Sequence, residues 1–405
     1  MIRRKEVKYN MKIEEPLEEL DVDNIQQSSQ QVPFEHIIET MLDENIPLPT
    51  LYLYRLSDIS DKDLEFLQQH WHKIPLWRRR ALMEDLQMFA RRDLLLSYEG
   101  IGRLALKDPD PKVRIGAIET LMANECECLD LIDIYLERME KDEDLSVRIA
   151  AASALGQFVY LAEMEALKPE IKADLENRLL NVAQNGNDTE LRLRALESLG
   201  YSSRDEVPSL IESAFNTPDP NFQTSSLIAM GRSGNERWNA QVVSMLNHSN
   251  PSIRSEAARA AGELGIVEAR SLLFDLAEDA NQNVCMSALW ALSQIGGKGV
   301  RKLLQERLQE ADDEEEISLL ESALDNLDFN EGTHDMALLG DEEEDNDELF
   351  DDNLDDDIDE DIFDFDEDED DFLDDLDDED FDDFLDEEDE DYDFLDEEDE
   401  DDLWG

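Results

Sequence analysis

The spacing of the residues able to do chemistry limits what the chain does. The five histidines are His36, His70, His72, His248 and His334. They form no His-Glu dipeptide and no H-x-x-x-H pair, the spacings that would bring two ligands onto one metal from a helix. His70 and His72 stand i, i+2 and face apart on a helix. Cys126, Cys128 and Cys285 are odd in number and lack a C-x-x-C pair, so they read as reduced, mostly buried thiols. Gly296-Gly-Lys-Gly299 lacks the spacing and the Ser or Thr of a phosphate-binding loop and falls where a turn between helices is due. Spacing reveals no Ser/His/Asp set. No catalytic, cofactor-binding or metal residue is therefore nominated.

Arginines are the other recurrent chemistry. Arg78, Arg114, Arg148, Arg192 and Arg254 each follow an apolar residue in a repeated pattern. They would make either a line of anion-binding groups or a structural ladder. One residue past the anchor, each points about 80° from the apolar stripe and toward the adjoining repeat, which favours a ladder paired with capping carboxylates. Arg78, Arg79 and Arg80 with Arg91 and Arg92 form the densest basic cluster, read as a solvated helix face in preference to a receptor for the chain's own acidic end.

These residues must be positioned by repeated helical hairpins. Apolar anchors recur at Trp77, Val113, Val147, Leu191, Phe222, Ile253, Val284 and, weakly, Glu316, at intervals of 31 to 44 residues. Such a period marks units that hide their apolar faces only by stacking on one another. Three residues before the later anchors stand Asp110, Asp144, Asp188, Asp219, Asn250, Asn281 and Asp313, the residue types that cap helix N-termini. Pro111, Pro220 and Pro251 follow at the first helical position, where a missing N–H costs nothing. Gly156, Gly200, Gly231 and Gly262, nine residues past the anchor, are expected near helix ends or bends. Asp61 is expected to cap the helix containing Leu64 and Leu67. The longest interval, Val147 to Leu191, implies extra residues around 162–174, with Pro169 breaking two lengthened helices. A second amphipathic stretch precedes each capped helix, as in Leu272, Leu273, Leu276 and Ala277, so the unit is a pair of antiparallel helices.

The capped helix is apolar on more than one side and is therefore the inner one. Its remaining face is expected to line a concave surface. The partner-binding candidates on that row are Glu119, Ser153, Arg194, Glu197, Tyr201, Arg232, Arg259 and Trp290, with Tyr201 and Trp290 as anchors.

Charge divides the chain in two. It has 405 residues and a net charge of −71. Residues 341–405 hold 44 acidic residues and no Lys, Arg or His, which leaves 62 acidic against 35 basic residues, a net −27, in 1–340. Carboxylates this dense repel one another and cannot bury a core, so the segment reads as disordered and low in complexity. Asp383 to Asp391 recurs unchanged as Asp393 to Asp401. A solubilising bristle has no need of Phe372, Leu373, Phe384, Leu385, Phe394, Leu395 and Trp404. Spaced apolar residues in an acidic field suit docking on a basic partner. Loose divalent cations are expected there without a defined calcium loop. The charge argues against direct binding of nucleic acid or anionic membrane. No secretory signal and no apolar run of about 18 residues is visible, which points to the cytoplasm. Met11 is an alternative start to Met1.

Asp110-Pro-Lys-Val-Arg-Ile-Gly-Ala-Ile-Glu-Thr-Leu121, the segment Asp144 to Gly156 and the segment Asn250 to Gly262 resemble HEAT repeats, among them the short type of phycobilisome lyases. The resemblance covers about 75–330 and implies an all-α solenoid of about 7–8 HEAT-like hairpins that holds other proteins. The expected organisation is a flexible leader over 1–32, an N-terminal helical cap over 33–74, the solenoid over 75–330 and the acidic tail over 331–405. A non-catalytic scaffold is the first expectation. A lyase-like enzyme or chromophore-transfer subunit is the second, and a chaperone or nucleic-acid mimic for basic proteins, acting through the tail, is the third. HEAT-type hydroxylases need repeated His-Glu pairs that this sequence lacks.

Overall fold

A computed structural model describes residues 28–93, 95–123, 128–311 and 313–340, with only the backbone of 314, 315 and 330–340. The tail residues Phe372, Leu373, Phe384, Leu385, Phe394, Leu395 and Trp404 and most of the expected leader lie outside the described residues. Among these residues every regular element is helical. The N-terminal part comprises α1 (Phe34–Leu42), α2 (Thr50–Arg55) and α3 (Asp61–His70). Asp61 does not cap α3. Ser60 does, its hydroxyl accepting from the Asp63 N–H at 3.2 Å, and Asp61 is already the first helical residue.

From there the chain alternates. The inner helices are α4 (Leu76–Arg92), α6 (Pro111–Ala123), α8 (Leu145–Glu163), α10 (Thr189–Leu199), α12 (Pro220–Arg232), α14 (Pro251–Glu263) and α16 (Gln282–Ile295). The outer helices are α5 (Glu99–Ala105), α7 (Leu131–Lys141), α9 (Pro169–Asn185), α11 (Val207–Phe215), α13 (Asn239–Met245), α15 (Arg270–Leu276) and α17 (Val300–Glu310), and α18 (Glu314–Gly340) closes the series. From α5 on, each outer helix packs on the inner helix that follows it, and from α4 on each inner helix packs on the next. This is an α-solenoid, and α18 runs ten residues past 330.

The seven cap side chains predicted in the repeats accept an N–H from the first turn of their helices, at 2.8 to 3.3 Å. The anchors Val113, Val147, Leu191, Ile253 and Val284 are buried. Trp77 is not an anchor: it is 52% exposed. The buried side chains of α4 are Arg78, Arg79, Leu82, Met83, Leu86 and Ala90, so the first unit runs one residue out of register. The lengthened pair is α8 and α9, with Pro169 at the start of the second. By length and composition α8 is apolar enough to cross a membrane. Val147, Leu155, Phe158 and Val159 of this helix are buried in the stack, while Leu145 and Tyr160 are exposed.

The glycines end up elsewhere than expected. Gly156, Gly231 and Gly262 lie inside their helices, and only Gly200 is at a C-cap, with an ordinary right-handed backbone. Each faces the small residue at the +7 position of the next inner helix. A Cβ on Gly200 would lie 2.8 Å from the Ala229 Cα, on Gly231 3.1 Å from the Ala260 Cα, and on Gly262 2.8 Å from the Ala291 Cα. Gly156 meets Ser198 in the same way. Glycine is therefore a spacer between inner helices. Its conformational freedom matters instead at Gly234 and Gly265, whose φ values of 58° and 62° turn the chain out of α12 and α14.

The arginines form a ladder, with partners other than the caps in most rungs. Arg114 makes two bonds to Asp142, at 2.6 and 3.0 Å, and Arg254 two to Asp279, at 2.9 and 3.0 Å. Those aspartates sit two residues before the next cap and also accept its N–H. Asp108 does the same for Arg79 at 2.9 Å, taking in addition the Trp71 indole N–H. Arg148 and Arg192 donate to the carbonyls of Met139 and Ala183 near the ends of the preceding outer helices. Arg78 donates to the carbonyls of Asp43 and Ile46. Arg80, next to the expected rung Arg78, does pair with a predicted cap, Asp110. Of the expected basic face only Arg91 and Arg92 are exposed. Cys128 is disulfide-bonded, against the expectation of three reduced thiols, and Cys285 is a free, half-buried thiol.

Candidate partner-binding groove

One face of the inner helices carries two adjoining hollows. The first, about 410 Å³, is lined by Ser153 of α8, Arg194 and Glu197 of α10, Ile228 and Arg232 of α12, and Glu256, Arg259 and Glu263 of α14. The second, about 580 Å³, is lined by Arg91, Ile115, Ile118, Glu119, Ile149 and Glu190. Met122 and Ser153 belong to both, so the two form one groove crossing α6 to α14. Of the residues expected on the row, Glu119, Ser153, Arg194, Glu197, Arg232 and Arg259 meet there. Tyr201 and Trp290 do not line it. Tyr201 lies at its edge, under the Arg232 guanidinium at 5.2 Å and edge-on to Tyr160 at 5.5 Å. Trp290 is half-buried on α16, the inner helix after α14, where its ring would meet a Cβ on Gly262.

The groove's polar groups differ in how far they are satisfied. Arg194 donates to both carboxylate oxygens of Glu197, at 2.7 and 2.8 Å. The Ser225 hydroxyl donates to the same carboxylate at 2.5 Å. Glu197 is only 5% exposed and is thus a structural group more than a contact. Arg232 donates to the Glu197 carbonyl at 2.9 Å. Glu256 and Glu263 accept no hydrogen bond among the described residues, and Arg259 stands 4.0 Å from each. Burial pushes both carboxyls above the usual range, opposed by the nearby Arg259. Burial likewise raises Glu119, against the pull of Arg91.

Met122 was missed from sequence, although a signal exists. It occupies the +9 position held by glycine in four later repeats, and a long side chain there projects into the groove. The histidines stay apart: His70 Nδ1 meets the Phe66 carbonyl, and His248 Nδ1 accepts from the Asn250 N–H.

Residues 100–172 and 239–325 match the family model described as HEAT repeats, so the hairpins within these two regions are HEAT repeats. A comparison with curated protein sequences gives no match. Among solved structures, the chain is similar to human deoxyhypusine hydroxylase, at 19% identity over 67% of this chain and 97% of that one, with a TM-score of 0.30. It is similar to YibA of E. coli, at 17% identity over 71% and 99%, with a TM-score of 0.36. It is also similar to the CpcE and CpcF complex of phycocyanin lyase from Nostoc sp., at 17% identity over 56% and 94%, with a TM-score of 0.39. At these scores the fold rests on the chain's own geometry and on the family match.

Proposed function

We propose that this chain is a non-catalytic, cytoplasmic scaffold whose groove holds a protein partner, while residues 341–405 engage a basic partner surface or keep the assembly soluble. The observation that carries this reading is the groove itself. It crosses α6 to α14, with Arg91 of α4 also lining it, and sets charged groups beside Ile115, Ile118, Met122 and Ile228. An extended polypeptide meets such a surface residue by residue, with apolar contacts between polar ones.

Affinity purification tests it with three proteins: the full chain, the chain lacking 341–405, and the full chain carrying Ile228→Glu. A partner kept by the truncated chain and lost by Ile228→Glu supports the groove. A partner lost on truncation and kept by Ile228→Glu makes the tail the working part, the chaperone or mimic reading.

One observation favours the lyase-like alternative. Glu256 and Glu263, both raised by burial, converge on the smaller hollow, as a site for proton transfer to a ligand would require. Titration with a linear tetrapyrrole, followed by absorbance, decides it: a saturable shift abolished by Glu256→Gln would favour that reading, and an unchanged spectrum the scaffold.

A further inference from the structure

We infer that the groove recognises arginine or lysine side chains of an extended partner segment, through Glu119 at one end and Glu256 and Glu263 at the other. The inference rests on the groove reading above and specifies the chemistry of the occupant. The groove's arginines are already used in part: Arg194 is spent on Glu197, and Arg232 on a carbonyl and the Tyr201 ring. Of its carboxylates Glu197 is likewise taken, by Arg194 and Ser225, but three others are not. Glu119, Glu256 and Glu263 accept no hydrogen bond among the described residues, and each is partly withdrawn from water. The side chains keep some exposure, 21% at Glu256 and 28% at Glu263, so a cationic donor can reach them and make charge-assisted bonds there.

Arginine and lysine carry only donors. Their long aliphatic stems suit the surface between the two acidic ends, where Met122, Ile149 and Ile228 lie. Arg259 offers each of its glutamates no more than a 4.0 Å approach and is 53% exposed, so an incoming guanidinium competes with a loose neighbour. The lining adds to the case: the two hollows hold four arginines and five glutamates, so a cation is the charge that balances it. An acidic segment or a nucleic-acid backbone would place its own negative charges beside Glu119, Glu256 and Glu263.

The probe is an octa-arginine peptide with a central p-benzoylphenylalanine, photolysed with the full-length chain and mapped by mass spectrometry. Labelling of 341–405 by charge alone is expected in every variant and serves as the internal reference. Labelling at Met122 or Ile228 is expected in the native chain and about tenfold less, relative to that reference, in the Glu119→Gln, Glu256→Gln, Glu263→Gln variant. The groove labelling of the native chain should also fall on mild acidification, as the raised carboxyls take up protons. Glu119→Gln alone, at a half-buried site, keeps the comparison should the triple variant misfold.

Labelling confined to 341–405, or groove labelling equal in native and variant chains, overturns the inference. If a partner reaches the groove while octa-arginine does not, the inference fails and the groove reading stands. If octa-arginine labels the groove and no partner does, the groove reading alone fails.

Discussion

At the scale of the residue, buried charge behaves in opposite ways in the ladder and in the groove. Asp142 has a side chain 1% exposed. Burial alone would raise its carboxyl, but the bonds from Arg114 and the Asp144 N–H outweigh burial and hold it below the usual range. Its contribution to stability is therefore full above the ordinary carboxylate pKa and lost as pH falls through the lowered value. Asp142→Leu strands Arg114 and should cost about 3–5 kcal/mol, read as a lower denaturant midpoint at unchanged slope. Glu256 has the reverse sign. Its raised carboxyl makes the fold less stable as pH rises from the ordinary value through the raised one. Glu256→Gln should raise the melting temperature at pH 7 and lose that advantage at pH 4. A melting temperature lowered equally at both would contradict the burial argument. The carboxylates of the row were legible in the sequence because helix period alone places them. The burial of Glu197 was not, because it depends on Ser225 from the next helix.

At the scale of the element, local chemistry was legible and contact between neighbours was not. Caps depend on one side chain and the first turn of its own helix, so the seven caps of the repeats could be placed from spacing, while Asp61, outside the repeat, was displaced by Ser60. Asn250→Ala should cost about 1 kcal/mol, and thermal unfolding checks it. The glycines depend on what stands across the interface, which periodicity does not reveal. Gly262→Val should cost about 1–3 kcal/mol because its Cβ meets the Ala291 backbone. Gly265→Ala has open space around it and only the left-handed φ to oppose it, so its loss should stay near about 1 kcal/mol. Equal losses at the two sites would deny that Gly262 is a spacer. Trp77 was misplaced for a related reason: Arg79 takes Asp108 in the first unit as Arg114 takes Asp142 in the second, so the arginine, not the aromatic, marks the register.

At the scale of the whole molecule, a repeat gives each inner helix a similar row of positions, and only stacking decides which rows join. The period of 31 to 44 residues made the solenoid and the identity of its inner layer legible. The groove was legible only in part, since Met122 and Arg91 enter it from positions outside the predicted row, while Trp290, within that row, packs beside Gly262 instead. The central claim is that the groove holds a protein. It is tested most directly by placing p-benzoylphenylalanine at residue 228 of the full chain, or at residue 212 on the exposed face of α11, and photolysing each in cells. A discrete cross-linked partner from position 228, and none from position 212, is the predicted result. The same adducts from both positions, or adducts that vanish when 341–405 are removed, would contradict it.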